Sequence, residues 1–176
     1  LTIDAPCPVT LPKGISSARE HFGLPQDKVL FISSLDLGSS PDRKNPFAAI
    51  KAFQQAFNDA GTAGLVIKLT NNRPSAKDGQ AGLAELMQHV QTNPHIRVID
   101  RSLSYPEVLS LYASCDAFVS LHRSEGLGLG LVEPMLLGKP VIATAWSGNM
   151  SYMDHTNACL VRYRLVRVRS RHPNFD

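Results

Sequence analysis

The chain has 176 residues, of which 43% are hydrophobic and 19% are charged, and its formal net charge is +3. This composition excludes a disordered chain and fits one globular domain with a sizeable core. No apolar run approaches the roughly 18 residues that cross a membrane, and no basic region followed by an apolar stretch indicates a signal peptide. Because the first residue is Leu1 rather than Met, we expect a piece of a longer protein.

The basic charge is concentrated at the end of the chain. Residues 1–161 carry 13 basic and 14 acidic side chains, whereas residues 162–176 carry five arginines and one aspartate. A nucleic-acid-binding protein is expected to carry basic residues on its folded body, so the sequence predicts no nucleic-acid partner. Peripheral contact of the arginines with a membrane surface is an alternative. The three widely spaced cysteines contain no Cys-x-x-Cys pair and fit a reducing, cytoplasmic compartment.

Short apolar segments alternate with segments of helical periodicity along the chain. Proline-rich residues 1–14 are predicted to be an incoming linker between domains, and a short helix capped by Ser16 or Ser17 is expected to end near Gly23. The predicted order is then strand 29–33, helix 46–57, strand 65–69, helix 78–90, strand 96–99, helix 106–113, strand 117–121, helix 129–137, strand 141–143 and strand 158–161. Residues 169–176 are predicted to form a frayed tail.

This alternation predicts an α/β domain over residues 15–168. Its core is expected to be a Rossmann-like parallel sheet of about six strands with helices on both faces. Ligands of such sheets bind at the carboxyl ends of the strands. The candidate binding residues therefore lie in the loops that follow the strands.

The loop after the fourth predicted strand carries the most informative residues. Residues 124–133 read Ser-Glu-Gly-Leu-Gly-Leu-Gly-Leu-Val-Glu and lead from that loop into a helix. Glycines at a helix start allow a ligand to approach the backbone, and the helix N-terminus attracts an anion such as phosphate. Glu125 and Glu133 can each accept hydrogen bonds from a pair of hydroxyl groups. A phosphate between two polyols is the chemistry of a nucleotide sugar.

Several segments resemble the donor-binding half of GT-B glycosyltransferases, in particular the large family 4 of retaining enzymes. The matching segments are Arg43-Lys44-Asn45-Pro46, Glu125-Gly126-Leu127-Gly128-Leu129, Glu133-Pro134-Met135, Gly138-Lys139-Pro140-Val141-Ile142-Ala143-Thr144 and Ser147-Gly148-Asn149. The resemblance runs from about residue 29 to residue 168. It implies one half of a GT-B fold, whose other Rossmann-like half binds an acceptor glycan or lipid-linked sugar. It also implies a role in polysaccharide biosynthesis, and we expect this half alone to transfer nothing.

The resemblance implies a role for individual residues. Glu125 would contact the transferred sugar and support charge development there, whereas Glu133 would bind the ribose hydroxyls. Lys44 would neutralise the diphosphate as it leaves, and Arg43 is the candidate for the second cation that many members carry just after the first strand. His122 either contacts the donor or is only a polar residue at the end of its strand. The remaining predicted donor-binding residues are Gly126, Leu127, Gly128, Leu129, Arg101 and Ser102.

The implied substrate is a UDP-, GDP- or TDP-sugar, and no cofactor or metal is expected. The six histidines are scattered, and the chain contains no Asp-x-Asp pair for a bridging cation. Two alternatives stay open, a GT-B sugar-nucleotide epimerase domain and a dinucleotide-binding oxidoreductase domain. The second is disfavoured, because glycines 126, 128 and 130 do not have the Gly-x-Gly-x-x-Gly spacing and follow the fourth strand rather than the first.

Overall fold

The computed structural model describes residues 8–36, 41–57, 61–70 and 77–167. In these residues the strands are β1 (Val29–Asp36), β2 (Ala63–Thr70), β3 (Ile96–Ile99), β4 (Ala117–Ser120), β5 (Val141–Thr144) and β6 (Cys159–Val161). The helices are α1 (Pro41–Lys44), α2 (Pro46–Ala56), α3 (Lys77–Gln91), α4 (Tyr105–Ala113) and α5 (Leu129–Leu136). A 3-10 turn at Gly148–Ser151 lies between β5 and β6.

The six strands form one parallel sheet in the order β3-β2-β1-β4-β5-β6. The predicted Rossmann-like sheet is therefore confirmed. The chain places β2 and β3 on one side of β1 and then places β4, β5 and β6 on the other side. In such a sheet a ligand crevice lies at the carboxyl ends of the strands where the order reverses, which here is between β1 and β4.

Helices cover both faces of the sheet, because side chains of a buried strand alternate between the two faces. On one face, β1, β4 and β5 pack against α4 and α5 around residues such as Ile32 and Leu109. On the opposite face, β2 packs against α2 and α3 around residues such as Ile67 and Leu86. This arrangement confirms the predicted helices on both sides.

The first strand is longer than predicted. It continues to Asp36 because Ser33 and the three residues after it pair with β2 in the parallel ladder. Two serines and an aspartate do not look like a strand in the sequence, but the backbone bonds of the ladder are independent of side-chain polarity. The position just after the first predicted strand, where an arginine was expected by resemblance, therefore lies within β1.

The helix predicted after Ser16 or Ser17 is wrong. Residues 19–23 form only a turn. The segment instead makes bonds to the end of α4, because Ala18 N–H donates to Ser114 Oγ at 2.7 Å and Arg19 Nε donates to the Ser114 carbonyl at 2.9 Å. Hydrogen bonds to a distant segment are therefore formed here in place of the hydrogen bonds within a helix.

The two ends of the chain are described only in part. Residues 1–7 of the predicted linker and the whole predicted tail, 169–176, lie outside the described residues. Residues 8–14 form neither helix nor strand, although Leu11 packs against the core beside α4.

Candidate functional site

Two loops meet where the strand order reverses. One follows β1 and passes through α1 into α2, and the other follows β4 and enters α5. The Arg123 N–H donates to the Arg43 carbonyl at 2.8 Å, and Asn45 Nδ2 donates to the Leu121 carbonyl at 2.8 Å. Asn45 has φ 50° and ψ 52°, a left-handed conformation that asparagine adopts more readily than most residues. These bonds hold the two loops against each other.

Three charged side chains form an ion cluster between these loops. Lys44 Nζ lies 2.5 Å from Glu125 Oε1, and Arg43 Nη1 lies 3.1 Å from Glu125 Oε2. The Glu125 side chain is 7% exposed, whereas those of Lys44 and Arg43 are 22% and 26% exposed. A carboxylate so well buried needs partners, because removing a charge from water is costly without them. The two cations keep contact with solvent, where they can meet an anion.

The glycine-rich turn at the start of α5 has room for a ligand. A Cβ placed on Gly126 or on Gly130 would meet no described atom within 4 Å, apart from the immediate chain neighbours and, for Gly130, the backbone of its own helix. The first N–H groups of a helix have no intrahelical partners and, together with the helix dipole, favour an anion. The open backbone of this turn therefore lies next to the ion cluster.

Gly128 has a conformational role in the same turn. Its φ is +77°, and a Cβ there would lie 3.0 Å from both Leu131 Cδ1 and Tyr152 Oη, so only glycine fits without strain. The Tyr152 hydroxyl donates to the Leu127 carbonyl at 2.7 Å. Burial and the charge of Glu125 raise the pKa of Tyr152 to about 12, which keeps this hydroxyl a neutral donor at physiological pH.

The loop after β5 contacts the backbone of Glu125. Ser147 Oγ accepts a hydrogen bond from the Glu125 N–H at 2.9 Å and donates to the Glu125 carbonyl at 2.5 Å. Gly148 N–H donates to the same carbonyl at 3.1 Å. A Cβ on Gly148 would lie only 1.4 Å from the Gly126 carbonyl oxygen, so the close approach of the two loops requires glycine.

His122 is buried, and both ring nitrogens face protein atoms. Nδ1 lies 3.0 Å from Ser120 Oγ, while Nε2 lies 3.1 Å from both the Trp146 carbonyl and Asn149 Oδ1. Both partners of Nε2 are acceptors, so Nε2 carries a proton, and Nδ1 is paired with the serine hydroxyl. Asn149 is fully buried and donates to the Thr144 carbonyl at 3.0 Å. His122 thus links β4 to the loop after β5, and its contact with a donor stays a prediction.

Glu133 lies farther along α5, about 6 Å along the helix axis from Leu129. Burial raises the pKa of its carboxyl group, and the Tyr105 hydroxyl opposes this effect by hydrogen bonding. The pKa of Tyr105 is raised in turn by burial and by the charge of Glu133. A partly desolvated carboxylate gains from additional hydroxyl donors, so Glu133 is suited to bind a diol.

Arg101 and Ser102 lie exposed in the loop after β3. The Arg101 guanidinium lies 5.6 Å from the centroid of the Phe22 ring. The backbone carbonyl of Arg101 accepts a hydrogen bond from Lys68 Nζ at 3.1 Å. Lys68 is 2% exposed, and this burial lowers its pKa. The loop is therefore anchored to β2 and to the turn before β1, with Ser102 open to solvent.

A comparison with known protein families identifies the domain. The profile of the family described as "Glycosyl transferases group 1" matches residues 16–162, which is most of the chain. The chain belongs to this family. No curated protein sequence matches it.

Solved structures show the same fold as this group 1 domain. HepE of Anabaena in complex with UDP-glucose is 23% identical over 87% of this chain, with a TM-score of 0.67. The α,α-trehalose-phosphate synthase (UDP-forming) of Burkholderia vietnamiensis is 14% identical over 82% of the chain, with a TM-score of 0.66. The C-terminal domain of the group 1 protein LpcC from Francisella tularensis is 20% identical over 84% of the chain, with a TM-score of 0.62.

The group 1 domain corresponds to a part of the larger relatives. It spans 40% of HepE and 35% of the Burkholderia protein, but 77% of the LpcC C-terminal domain. These neighbours support the expected GT-B half.

The structure brings some of the predicted site residues together. Arg43, Lys44 and Glu125 are in direct contact, and Glu125 directly precedes the glycine-rich turn. Glu133 lies on the same helix as the end of that turn but is paired with Tyr105. Among the described residues, neither Arg101 nor Ser102 of the loop after β3 makes a hydrogen bond or ion pair with this ion cluster, and the Arg101 side chain packs on Phe22 instead.

Other residues of the site were not singled out as such from the sequence. The roles of Ser147, Tyr105 and Tyr152 depend on hydroxyl contacts between distant segments, which leave no local pattern. Lys68 is different, because a lysine inside the otherwise apolar strand 65–69 is a visible anomaly. That signal would have pointed to the anchored loop after β3.

Metal and membrane sites were searched in the part of the chain that the structure describes. No group of three or more His, Cys, Asp or Glu side chains there could hold a metal ion. Within the same ranges, no helix is long and apolar enough to cross a bilayer.

Proposed function

We propose that this group 1 domain binds a nucleoside diphosphate sugar and serves a retaining glycosyltransferase that moves a hexosyl group to an acceptor hydroxyl. The observation that carries the proposal is the ion cluster of Glu125, Lys44 and Arg43 at the start of α5. It combines two cations and a helix N-terminus, which suit a diphosphate, with a carboxylate, which suits a sugar.

The two cations and the helix start have a common task in this proposal. When the bond between the sugar and the diphosphate breaks, negative charge develops on the leaving phosphate. Lys44, Arg43 and the first N–H groups of α5 offer positive potential there before the reaction begins, which is the arrangement that stabilises developing charge. In this proposal the leaving group requires no metal ion.

The two glutamates divide the sugar-binding work. Glu125 faces the transferred sugar, and Glu133 accepts hydrogen bonds from the two ribose hydroxyls. The raised pKa of Glu133 supports its part, since this carboxylate is partly desolvated and the hydrogen bond from Tyr105 offsets only part of that cost. HepE is described in complex with UDP-glucose, so a UDP-sugar is the first donor to test.

The acceptor is expected to bind to a second domain. This chain spans 40% of HepE, so much of that relative has no counterpart here. Positioning an acceptor hydroxyl against the anomeric carbon can supply about 7–11 kcal/mol of a barrier. We therefore expect donor binding without transfer from this domain alone.

The alternatives receive less support from the described residues. A dinucleotide-binding domain carries its glycine turn after the first strand, whereas β1 reads Val-Leu-Phe-Ile-Ser-Ser-Leu-Asp and the glycine turn follows β4. The match to group 1 glycosyltransferases favours a transferase over an epimerase.

Titration calorimetry on the chain tests the proposal. UDP, GDP and TDP and their glucose conjugates are compared with NAD and NADP, at equal ionic strength. We expect one nucleoside diphosphate to bind more tightly than either dinucleotide, and Glu133→Gln to weaken its binding. Tighter binding of a dinucleotide, or no binding of any nucleoside diphosphate, would refute the proposed function.

A further inference from the structure

Ser147 has an unusual backbone conformation. Its φ is +88° and its ψ is −161°. This region of conformational space is occupied almost only by glycine, because a Cβ clashes there with the neighbouring peptide groups. A residue with a side chain persists in such a conformation only where the surrounding structure fixes it.

The surrounding structure does fix Ser147. Gly148 packs against the Gly126 carbonyl so closely that no Cβ would fit. On the other side, Asn149 is fully buried and bonded to the Thr144 carbonyl and to His122. The residues after Ser147 are therefore bonded to β5 and to the loop between β4 and α5.

The side chain of the strained residue makes its hydrogen bonds to one residue, Glu125. A single hydroxyl, Ser147 Oγ, bonds both the N–H and the carbonyl of Glu125, at 2.9 Å and 2.5 Å. Because both peptide groups of Glu125 are held, the direction of its Cα–Cβ bond is set, and only the side-chain torsions remain free. The carboxylate then ends between Lys44 and Arg43.

We infer that Ser147 is a positioning residue, whose hydroxyl sets the place of the Glu125 carboxylate opposite the transferred sugar. The inference rests on the proposed function, in which Glu125 contacts that sugar. This role explains why the strained conformation is kept, since a glycine at this position would relieve the strain but would lack the hydroxyl that holds Glu125.

Three substitutions separate this role from an ordinary loop bond. Ser147→Gly removes both the hydroxyl and the strain. Ser147→Ala removes the hydroxyl and keeps the strain. Ser147→Thr keeps a hydroxyl and adds a methyl group, so the strain stays or increases. We therefore expect the melting temperature to depend on the backbone strain at position 147, so that Ser147→Gly melts at a higher temperature than Ser147→Ala. We expect sugar recognition to depend on the hydroxyl group, so that Ser147→Thr recognises the sugar nearly as well as the wild type does.

The measurement is calorimetry on the 176-residue chain. The wild type is screened with UDP-, GDP- and TDP-glucose, and the tightest of these is then compared with its own nucleoside diphosphate. The readout is the ratio of the two affinities, because both ligands share any effect of Glu125 on the cations, whereas only the sugar conjugate reports on the contact between Glu125 and the sugar. We expect Ser147→Gly and Ser147→Ala to lower this ratio at least about fivefold, with nucleoside diphosphate affinity changed no more than about threefold. Glu125→Gln serves as the reference that lowers the same ratio.

Different outcomes separate the possible failures. An unchanged ratio in Ser147→Gly and Ser147→Ala, with a lowered ratio in Glu125→Gln, overturns this inference and leaves the proposed function standing. Parallel losses of both affinities that follow melting temperature in all three variants show a purely structural serine and also overturn it. Absence of any nucleotide binding by the wild type refutes the proposed function and this inference together. If Ser147→Thr does not fold, the Gly and Ala pair decides.

Discussion

Removal of the charge on Glu125 should make the chain bind a nucleoside diphosphate more tightly. In the structure, the Glu125 carboxylate forms ion pairs with both Lys44 Nζ and Arg43 Nη1, at 2.5 Å and 3.1 Å. A diphosphate that uses the same two cations must first replace the carboxylate. Glu125→Gln keeps the shape of the side chain and removes the competing charge, so both cations lose their anionic partner. A residue proposed to contact the substrate thus opposes binding of the product nucleotide.

The magnitude follows from the two ion pairs. Exposed ion pairs contribute up to about 1 kcal/mol, and the 7% exposure of Glu125 places its pairs at or above that limit. Two pairs amount to about 2 kcal/mol, and each 1.4 kcal/mol is tenfold in affinity. Because the glutamine oxygen still accepts hydrogen bonds from the cations, we expect about a tenfold tightening rather than the full value.

Calorimetry with UDP on wild type and Glu125→Gln measures the effect at low and at high salt. The gain should shrink as salt rises, since the two cations keep contact with solvent. Asp27→Asn is the matched control, because it removes one negative charge from an exposed residue just before β1, at the amino ends of the strands and away from the ion cluster at their carboxyl ends. The UDP affinity of this control should stay within about twofold of wild type.

Weaker or unchanged UDP binding by Glu125→Gln would refute the reasoning. Unchanged affinity would show that the diphosphate does not displace the carboxylate from the cations. Weaker affinity would show that Glu125 itself helps to bind the nucleotide. An equal gain in Asp27→Asn would show that net charge alone is responsible.

Further predictions concern the cations, the second glutamate, the loop contact and metals. Lys44→Ala should weaken UDP binding much more than uridine binding and flatten its salt dependence, with exposed Lys13→Ala as control; equal losses for both ligands would contradict this. Glu133→Gln should weaken UDP binding about tenfold. The same variant should raise the melting temperature at pH 7.5, because the folded-state pKa of Glu133 is raised and its buried charge destabilises the fold. This gain should shrink on acidification, since the wild type loses that charge as pH falls through the raised pKa. A gain that does not depend on pH would exclude the charge of Glu133 as the cause. Gly148→Ala should destabilise the chain by about 2 kcal/mol or more in urea unfolding, since its Cβ meets the Gly126 carbonyl oxygen; near-wild-type stability would show that the loops can separate cheaply. UDP binding should be unchanged by EDTA, and a chelator-dependent loss would show that a metal takes part.

Much of the fold could be predicted from the sequence because the relevant signals are local. The apolar runs 65–69 and 117–121 predict buried strands, which the structure has at Ala63–Thr70 and Ala117–Ser120, and the three- and four-residue spacing in 78–90 is typical of a helix packed on a sheet. Strand-to-helix alternation then leaves few topologies, since crossovers between parallel strands are right-handed. Segments whose partners lie elsewhere were less predictable. β1 extends through polar residues because β2 pairs with them, and residues 19–23 form no helix because the segment bonds to the end of α4.

The glycine turn, the two glutamates and the basic pair before α2 are visible in the sequence, because each is a short pattern at the end of an element. Their spatial relations are not. Lys44 and Glu125 are separated by 81 positions, and Ser147 is separated from Glu125 by 22. The reversal of strand order brings the ends of β1 and β4 together, and the close approach of Gly148 to Gly126 brings Ser147 onto Glu125. The amino-acid sequence shows which residues carry charge, which positions have the freedom of glycine and where helices begin. Three other features arise from contacts between distant segments, which depend on crossovers and register rather than on local periodicity. They are the pairing of Glu125 with both cations, the hydrogen bonds on both nitrogens of His122 and the strain at Ser147.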